Sequence, residues 1–223
     1  MIQKIKIFGE RNSGTNFLES LIKENIKNIK ILSGVYNGGS GWKHGYPKPY
    51  LFKEKKDILF IFIIRDLEPW LKSMYNNCYS YIRPKTIEEF IMNPLTINEA
   101  RSRHDVHMNK EEKQPIMELR YSKIKNYLQF SSIINNFIFI NLEDLQIDKG
   151  LKFLNFLKET FRCNVSNKIS FIDKHNKDGN IKSQNREYET ILPSELINNK
   201  INEELDTFVN TLKKEYYYTP TKI

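Results

Sequence analysis

Gly9-Glu10-Arg11-Asn12-Ser13-Gly14-Thr15-Asn16 stands between a short strand pattern and an amphipathic helix, and that placement decides how the rest of the chain is read. Ile5 to Phe8 alternates apolar and polar residues as a strand does, and Phe17, Leu18, Leu21, Ile22 and Ile26 recur at helical spacing. A strand, a glycine-bearing turn and a helix N-terminus in succession aim unpaired N–H groups at one point, where the helix dipole also favours an anion. A nucleotide-hydrolysing loop would end in Gly-Lys-Ser or Gly-Lys-Thr, with the lysine on the outer phosphates and the hydroxyl on magnesium. Thr15 and Asn16 occupy those two positions, so the stretch suits an anion that needs no metal. Taken alone, Asn12-Ser13-Gly14 also reads as an ordinary turn before a helix.

A second segment bears on that choice. Ile58 to Ile64 is an unbroken apolar run rich in β-branched and aromatic residues, the pattern of a strand buried on both faces of a parallel sheet. Arg65-Asp66-Leu67-Glu68-Pro69-Trp70-Leu71-Lys72-Ser73-Met74-Tyr75 follows at once. Pro69 suits the first turn of a helix, where its missing N–H costs nothing, and Trp70, Leu71, Met74 and Cys78 make its buried stripe. Arg65 then falls at the C-terminal end of a central strand, where open α/β sheets bind ligands. The plainer alternative is an Arg65–Asp66 surface pair with Ser73 merely capping or solvated.

In their order and separation these two segments resemble the sulfotransferases that use 3′-phosphoadenosine 5′-phosphosulfate (PAPS). The first resembles that family's 5′-phosphosulfate loop, the second its 3′-phosphate motif, an arginine at a strand end followed by a helical serine. The resemblance implies one α/β domain over residues 1–223, a P-loop-like three-layer sandwich with a mainly parallel central sheet. It implies PAPS as co-substrate, with the phosphosulfate on Arg11, Asn12, Ser13, Gly14, Thr15 and Asn16 and the 3′-phosphate on Arg65 and Ser73. The activity it implies is transfer of a sulfuryl group to a hydroxyl or amine of a small molecule or glycan, a carbohydrate among the candidates. A P-loop nucleotide or small-molecule kinase, and a non-catalytic nucleotide- or glycan-binding module, are the competing functions.

The family's loop carries a lysine immediately before Ser-Gly-Thr, and Asn12 stands there in this chain. Gly41-Trp42-Lys43-His44-Gly45 offers a replacement, with a cation beside a base of near-neutral pKa and glycines that permit close backbone approach. On this reading His44 deprotonates the acceptor while Lys43 or Arg11 stabilises the leaving phosphosulfate; the alternative is an exposed, inert pair. His104, Asp105 and His107 share a short polar segment without a further obvious ligand, and no metal is expected. Asp173 to Gly179 loosely resembles the loop that the family folds over its nucleotide, and also reads as a solvated connector.

Composition narrows the partners. A formal charge of +8 suits an anionic ligand, yet the lysines are dispersed and no RNA-binding or helix-turn-helix signature organises the aromatics, so nucleic acid is not expected. Cys78 and Cys163 read as two reduced thiols, and Asn164-Val165-Ser166 would matter only in a secreted chain. With no signal pattern at Met1 and no apolar run long enough to span a bilayer, the expectation is a cytoplasmic protein without a membrane anchor. Elsewhere the pattern gives a strand at Ile29–Leu32, helices at Thr86–Met92, Ile116–Phe130, Lys149–Phe161 and Ile201–Lys214, and a strand at Phe137–Leu142. After that last strand, Asn141, Glu143 or Asp144 would cap a helix or position a loop.

Overall fold

A computed structural model describes residues 2–32, 41–48, 56–78, 82, 84–95, 114–172 and 207. His104, Asp105, His107, the 173–179 loop and all of the expected 201–214 helix except Thr207 lie outside the described residues. In chain order the elements are β1 (Lys4–Gly9), α1 (Thr15–Asn25), β2 (Ile26–Lys27), β3 (Lys30–Ile31), β4 (Ile58–Ile64), α2 (Leu67–Asn76), α3 (Ile87–Met92), α4 (Ile116–Ser131), β5 (Phe137–Asn141), α5 (Leu142–Ile147), α6 (Leu151–Phe161) and β6 (Asn164–Val165).

Four strands form one parallel sheet in the order β3-β1-β4-β5, and β2 pairs antiparallel with β6 in a separate two-stranded ribbon. After β1 the chain runs to β3 on one side, then returns to β4 on the other. The order therefore reverses between β1 and β4, which puts the crevice of a doubly wound sheet at their C-terminal ends.

Period-two alternation sorts the core into two chemistries. Phe60 and Phe62 of β4, with Phe8 and Phe139, face α2, α3 and α4, whereas Leu59, Ile61 and Ile63, with Ile5, Ile7, Ile138 and Ile140, face α1, α5 and α6. Helices thus cover both faces of the sheet, an arrangement compatible with a three-layer sandwich. On the aromatic side Phe62 stacks on Phe139 with ring centroids 4.7 Å apart and on Tyr127 at 5.4 Å, so these aromatics pack the core.

Element ends have local causes. The Thr86 hydroxyl accepts from the Glu89 N–H at 3.1 Å and opens α3 as expected, while the Glu89 carboxylate reaches back to the Lys85 N–H rather than to Thr86. Several expectations need adjustment, among them the strand at Ile29–Leu32, which is Lys30–Ile31. Ile26 leaves the helix to pair with Val165. Leu142 opens α5 instead of ending β5, because the Asn141 side chain caps the Glu143 N–H at 2.8 Å. Lys149 and Gly150 adopt left-handed conformations, φ 55° and 82°, so α6 starts at Leu151. Cys78 lies beyond the end of α2 but still packs against the aromatic cluster. Among the described residues no helix is long and apolar enough to cross a membrane.

Phe62→Ala should destabilise the fold by about 3–5 kcal/mol in urea unfolding, since it opens a cavity among Phe8, Tyr127, Phe130 and Phe139. Ile147→Ala, at a position 77 % exposed, should stay within about 0.5 kcal/mol of the parent.

Candidate functional site

Strand register builds the site. Gly9 pairs with Ile63 and Ile64 with Asn141, so the segments starting at Glu10, Arg65 and Leu142 leave the sheet side by side at one edge. Gly9 has to be glycine, because a Cβ would lie 2.6 Å from both the Ile63 carbonyl oxygen and Ser13 Oγ. Gly14 holds φ 89° as the N-cap of α1, with a Cβ there 2.5 Å from Leu142 Cδ1. The N-cap, Gly14, has no side chain to cap α1 and its first turn carries no acidic residue, so the N–H groups and positive dipole end of the helix face the loop.

Several loop side chains hold the loop itself. Ser13 is fully buried and donates its hydroxyl proton to the Glu10 carbonyl at 2.7 Å. Asn12 takes the left-handed conformation that asparagine tolerates, φ 61°, and donates its amide to the Ser73 carbonyl at 3.2 Å. Arg65 turns toward the loop: Nη1 donates to the Asn12 carbonyl at 3.2 Å, and Nε donates to Glu143 Oε1 at 3.2 Å. Glu143 also accepts from the Asp66 N–H at 3.0 Å, and Asp66 accepts from Asn141 Nδ2 at 2.6 Å. The carboxylate facing Arg65 is therefore Glu143, with Asp66 engaged elsewhere.

The 41–48 segment docks on the same loop. Gly9 N–H donates to the Lys43 carbonyl at 2.9 Å, and the Lys43 ammonium donates to Asn16 Oδ1 and lies 3.5 Å from Glu19 Oε2. Lys43 is thus packed against the first turns of α1, and burial lowers its pKa against the opposing pull of Glu19. Arg11 lays its guanidinium 4.7 Å from the Trp42 ring centroid, and Trp42 meets the His44 ring edge-on at 5.0 Å. Lys6, wholly buried, anchors the segment by donating to the carbonyls of Leu32 (3.1 Å) and Gly41 (2.6 Å), with burial holding its pKa down to about 8.

His44 Nδ1 stands 2.9 Å from the Gly9 carbonyl, which only accepts, so Nδ1 carries the proton and Nε2 keeps its lone pair. Burial, followed by the charges of Lys43, Arg11 and Lys123, pushes the ring's pKa well below the ordinary value, with the Gly9 carbonyl opposing. At neutral pH the imidazole is an unprotonated base with its tautomer fixed.

Beneath the loop lies a buried charged group that the motifs do not contain. Arg120 of α4 is 1 % exposed; Nη1 donates to Glu10 Oε2 at 2.9 Å and Nη2 to the Arg65 carbonyl at 2.6 Å, and the guanidinium rests 4.4 Å from the Trp70 ring centroid. Trp70 Nε1 in turn donates to the Arg11 carbonyl at 2.9 Å. Burial raises the Glu10 pKa, opposed by Arg120 and by buried Lys123. Glu10 Oε1, Arg120 Nε and the Tyr127 hydroxyl have no hydrogen-bond partner among the described residues. A signal for this group existed, since Arg120 and Lys123 interrupt the helical stripe of Ile116, Ile124 and Tyr127. The structure thus gathers Arg11 to Asn16, Lys43, His44, Arg65 and Ser73 at one strand edge. Among the described residues no cluster of histidine, cysteine and carboxylate side chains is arranged to hold a metal ion. No family model matches the chain, and neither does any curated protein or solved structure.

The depressed His44 pKa links folding to pH. Below 6.5 the unfolded chain takes up a proton that the folded ring refuses, so stability falls as pH falls from 6.5 toward the folded value. Urea unfolding of the parent and of His44→Gln across that range should show a steeper loss in the parent; parallel curves would contradict the assignment.

Proposed function

We propose that the chain is a P-loop-like sulfotransferase that moves a sulfuryl group from PAPS to a hydroxyl or amine of a small-molecule or glycan acceptor. The observation that carries this reading is the bridge through Asn12, whose carbonyl accepts from Arg65 and whose amide donates to the Ser73 carbonyl. That bridge brings both motifs into one crevice, as a ligand phosphorylated at both ends of one ribose requires. The 5′ end would rest on the backbone from Arg11 to Asn16 at the N-terminus of α1, and the 3′-phosphate on the guanidinium of Arg65 beside Ser73.

Sulfuryl transfer spreads negative charge over the group in flight and the departing phosphate, so the site needs fixed cations and a base but no metal. Lys43 and the dipole of α1 supply the first, with Arg11 close by, and His44 Nε2 supplies the second. The acceptor oxygen attacks sulfur, the bond from sulfur to the 5′-phosphate oxygen breaks, and the acceptor proton passes to His44. Lys43 answers for the lysine absent at Asn12, since it reaches the first turn of α1 through Asn16. A magnesium-dependent kinase lacks its two tools at Thr15 and Asn16.

Adenosine 3′,5′-bisphosphate should raise the melting temperature, whereas ADP with magnesium should leave it unchanged; the reverse pattern would revive the kinase. Lys43→Ala and His44→Ala should each lower PAPS-dependent transfer by about 10²–10⁴-fold with a cooperative unfolding transition retained. Bisphosphate binding by a chain that transfers sulfate to no acceptor would favour the non-catalytic module.

A further inference from the structure

The geometry points to Arg120 as a positioning residue that, together with Trp70, fixes the separation of the two anion pockets. One planar guanidinium holds the segment after β1 through Glu10 Oε2 and the segment after β4 through the Arg65 carbonyl. Its face lies on Trp70, whose indole N–H holds the Arg11 carbonyl. The segments carrying the two motifs are thus tied to a single rigid fork projecting from α4.

The energetics favour positioning over stability as the reason for this pair. Burying an arginine with a glutamate carries a desolvation cost that an apolar pair of similar volume avoids, and only complete hydrogen bonding offsets it. Among the described residues the bonding is incomplete, with Glu10 Oε1 and Arg120 Nε lacking partners. The bonds that are made go to the two functional segments. Arginine also differs from lysine in the way this role needs, because a single ammonium lacks the planar fork that spans both partners.

This inference rests on the two-pocket reading above, and the test separates the two. Dissociation constants are measured by calorimetry for adenosine 3′,5′-bisphosphate, which needs both pockets, and adenosine 5′-monophosphate, which needs one. The parent should prefer the bisphosphate. In Arg120→Met that preference should shrink by about tenfold or more while monophosphate affinity changes little, and Trp70→Phe, which keeps an aromatic face but loses the N–H, should shrink it in the same direction. General destabilisation lowers the folded fraction equally for both ligands, so it leaves the ratio unmoved. Should Arg120→Met fail to unfold cooperatively, Trp70→Phe decides alone. An unchanged ratio in folded variants overturns the positioning role and leaves the two pockets standing. A parent without preference overturns both.

Discussion

The pairing of β1 with β4, in register from Lys4 opposite Ile58 to Gly9 opposite Ile63, is the constraint from which the site follows. Two adjacent parallel strands deliver the segments that follow them to the same edge, and a reversal of strand order leaves room between them. Gly9 makes the approach close enough, since any side chain there would strike the Ile63 carbonyl. Because the strands are buried on both faces, the edge is held by the core rather than by the loops it supports.

On that edge the charges are arranged in depth. Arg11, Lys43 and Arg65 sit at the loop, each already held by an aromatic ring, an amide oxygen or a carboxylate. Arg120 and Lys123 lie underneath among buried groups, with Glu10 between the two tiers. Glu143 holds the Arg65 guanidinium in place, so a ligand binding there, as proposed, would take little further side-chain freedom from it. On the proposed reading, the same carboxylate would oppose a second negative group set against the Nε side of Arg65.

Strong local periodicity made most of this architecture readable in advance. Ile58–Ile64 is a strand with the bounds its apolar run suggests, the loop at Gly9 lies between strand and helix, and Thr86 caps α3. The places of Arg65 at a strand end and of the loop at a helix start were legible because both are local features, whereas their approach depends on β1 pairing with β4 and followed only from the resemblance. Glu143 as the partner of Arg65 was not legible, since that depends on β4 pairing with β5 across a long stretch of chain. Arg120 was missed for a different reason: a charge on an apolar helix stripe reads as solvated unless a buried counter-charge is known, and Glu10 is 110 residues away. The β2–β6 ribbon has two residues per strand, too few for any period to register.

Both tryptophans of the chain lie against arginines at this one edge, Trp42 against Arg11 and Trp70, a member of the core facing α2, α3 and α4, against Arg120. Indole emission excited at the red edge of the absorption band therefore originates beside the loop and nowhere else in the molecule. The protein carries its own optical reporter, whose colour and quenching follow the electrostatic surroundings of those two guanidinium groups without any attached dye.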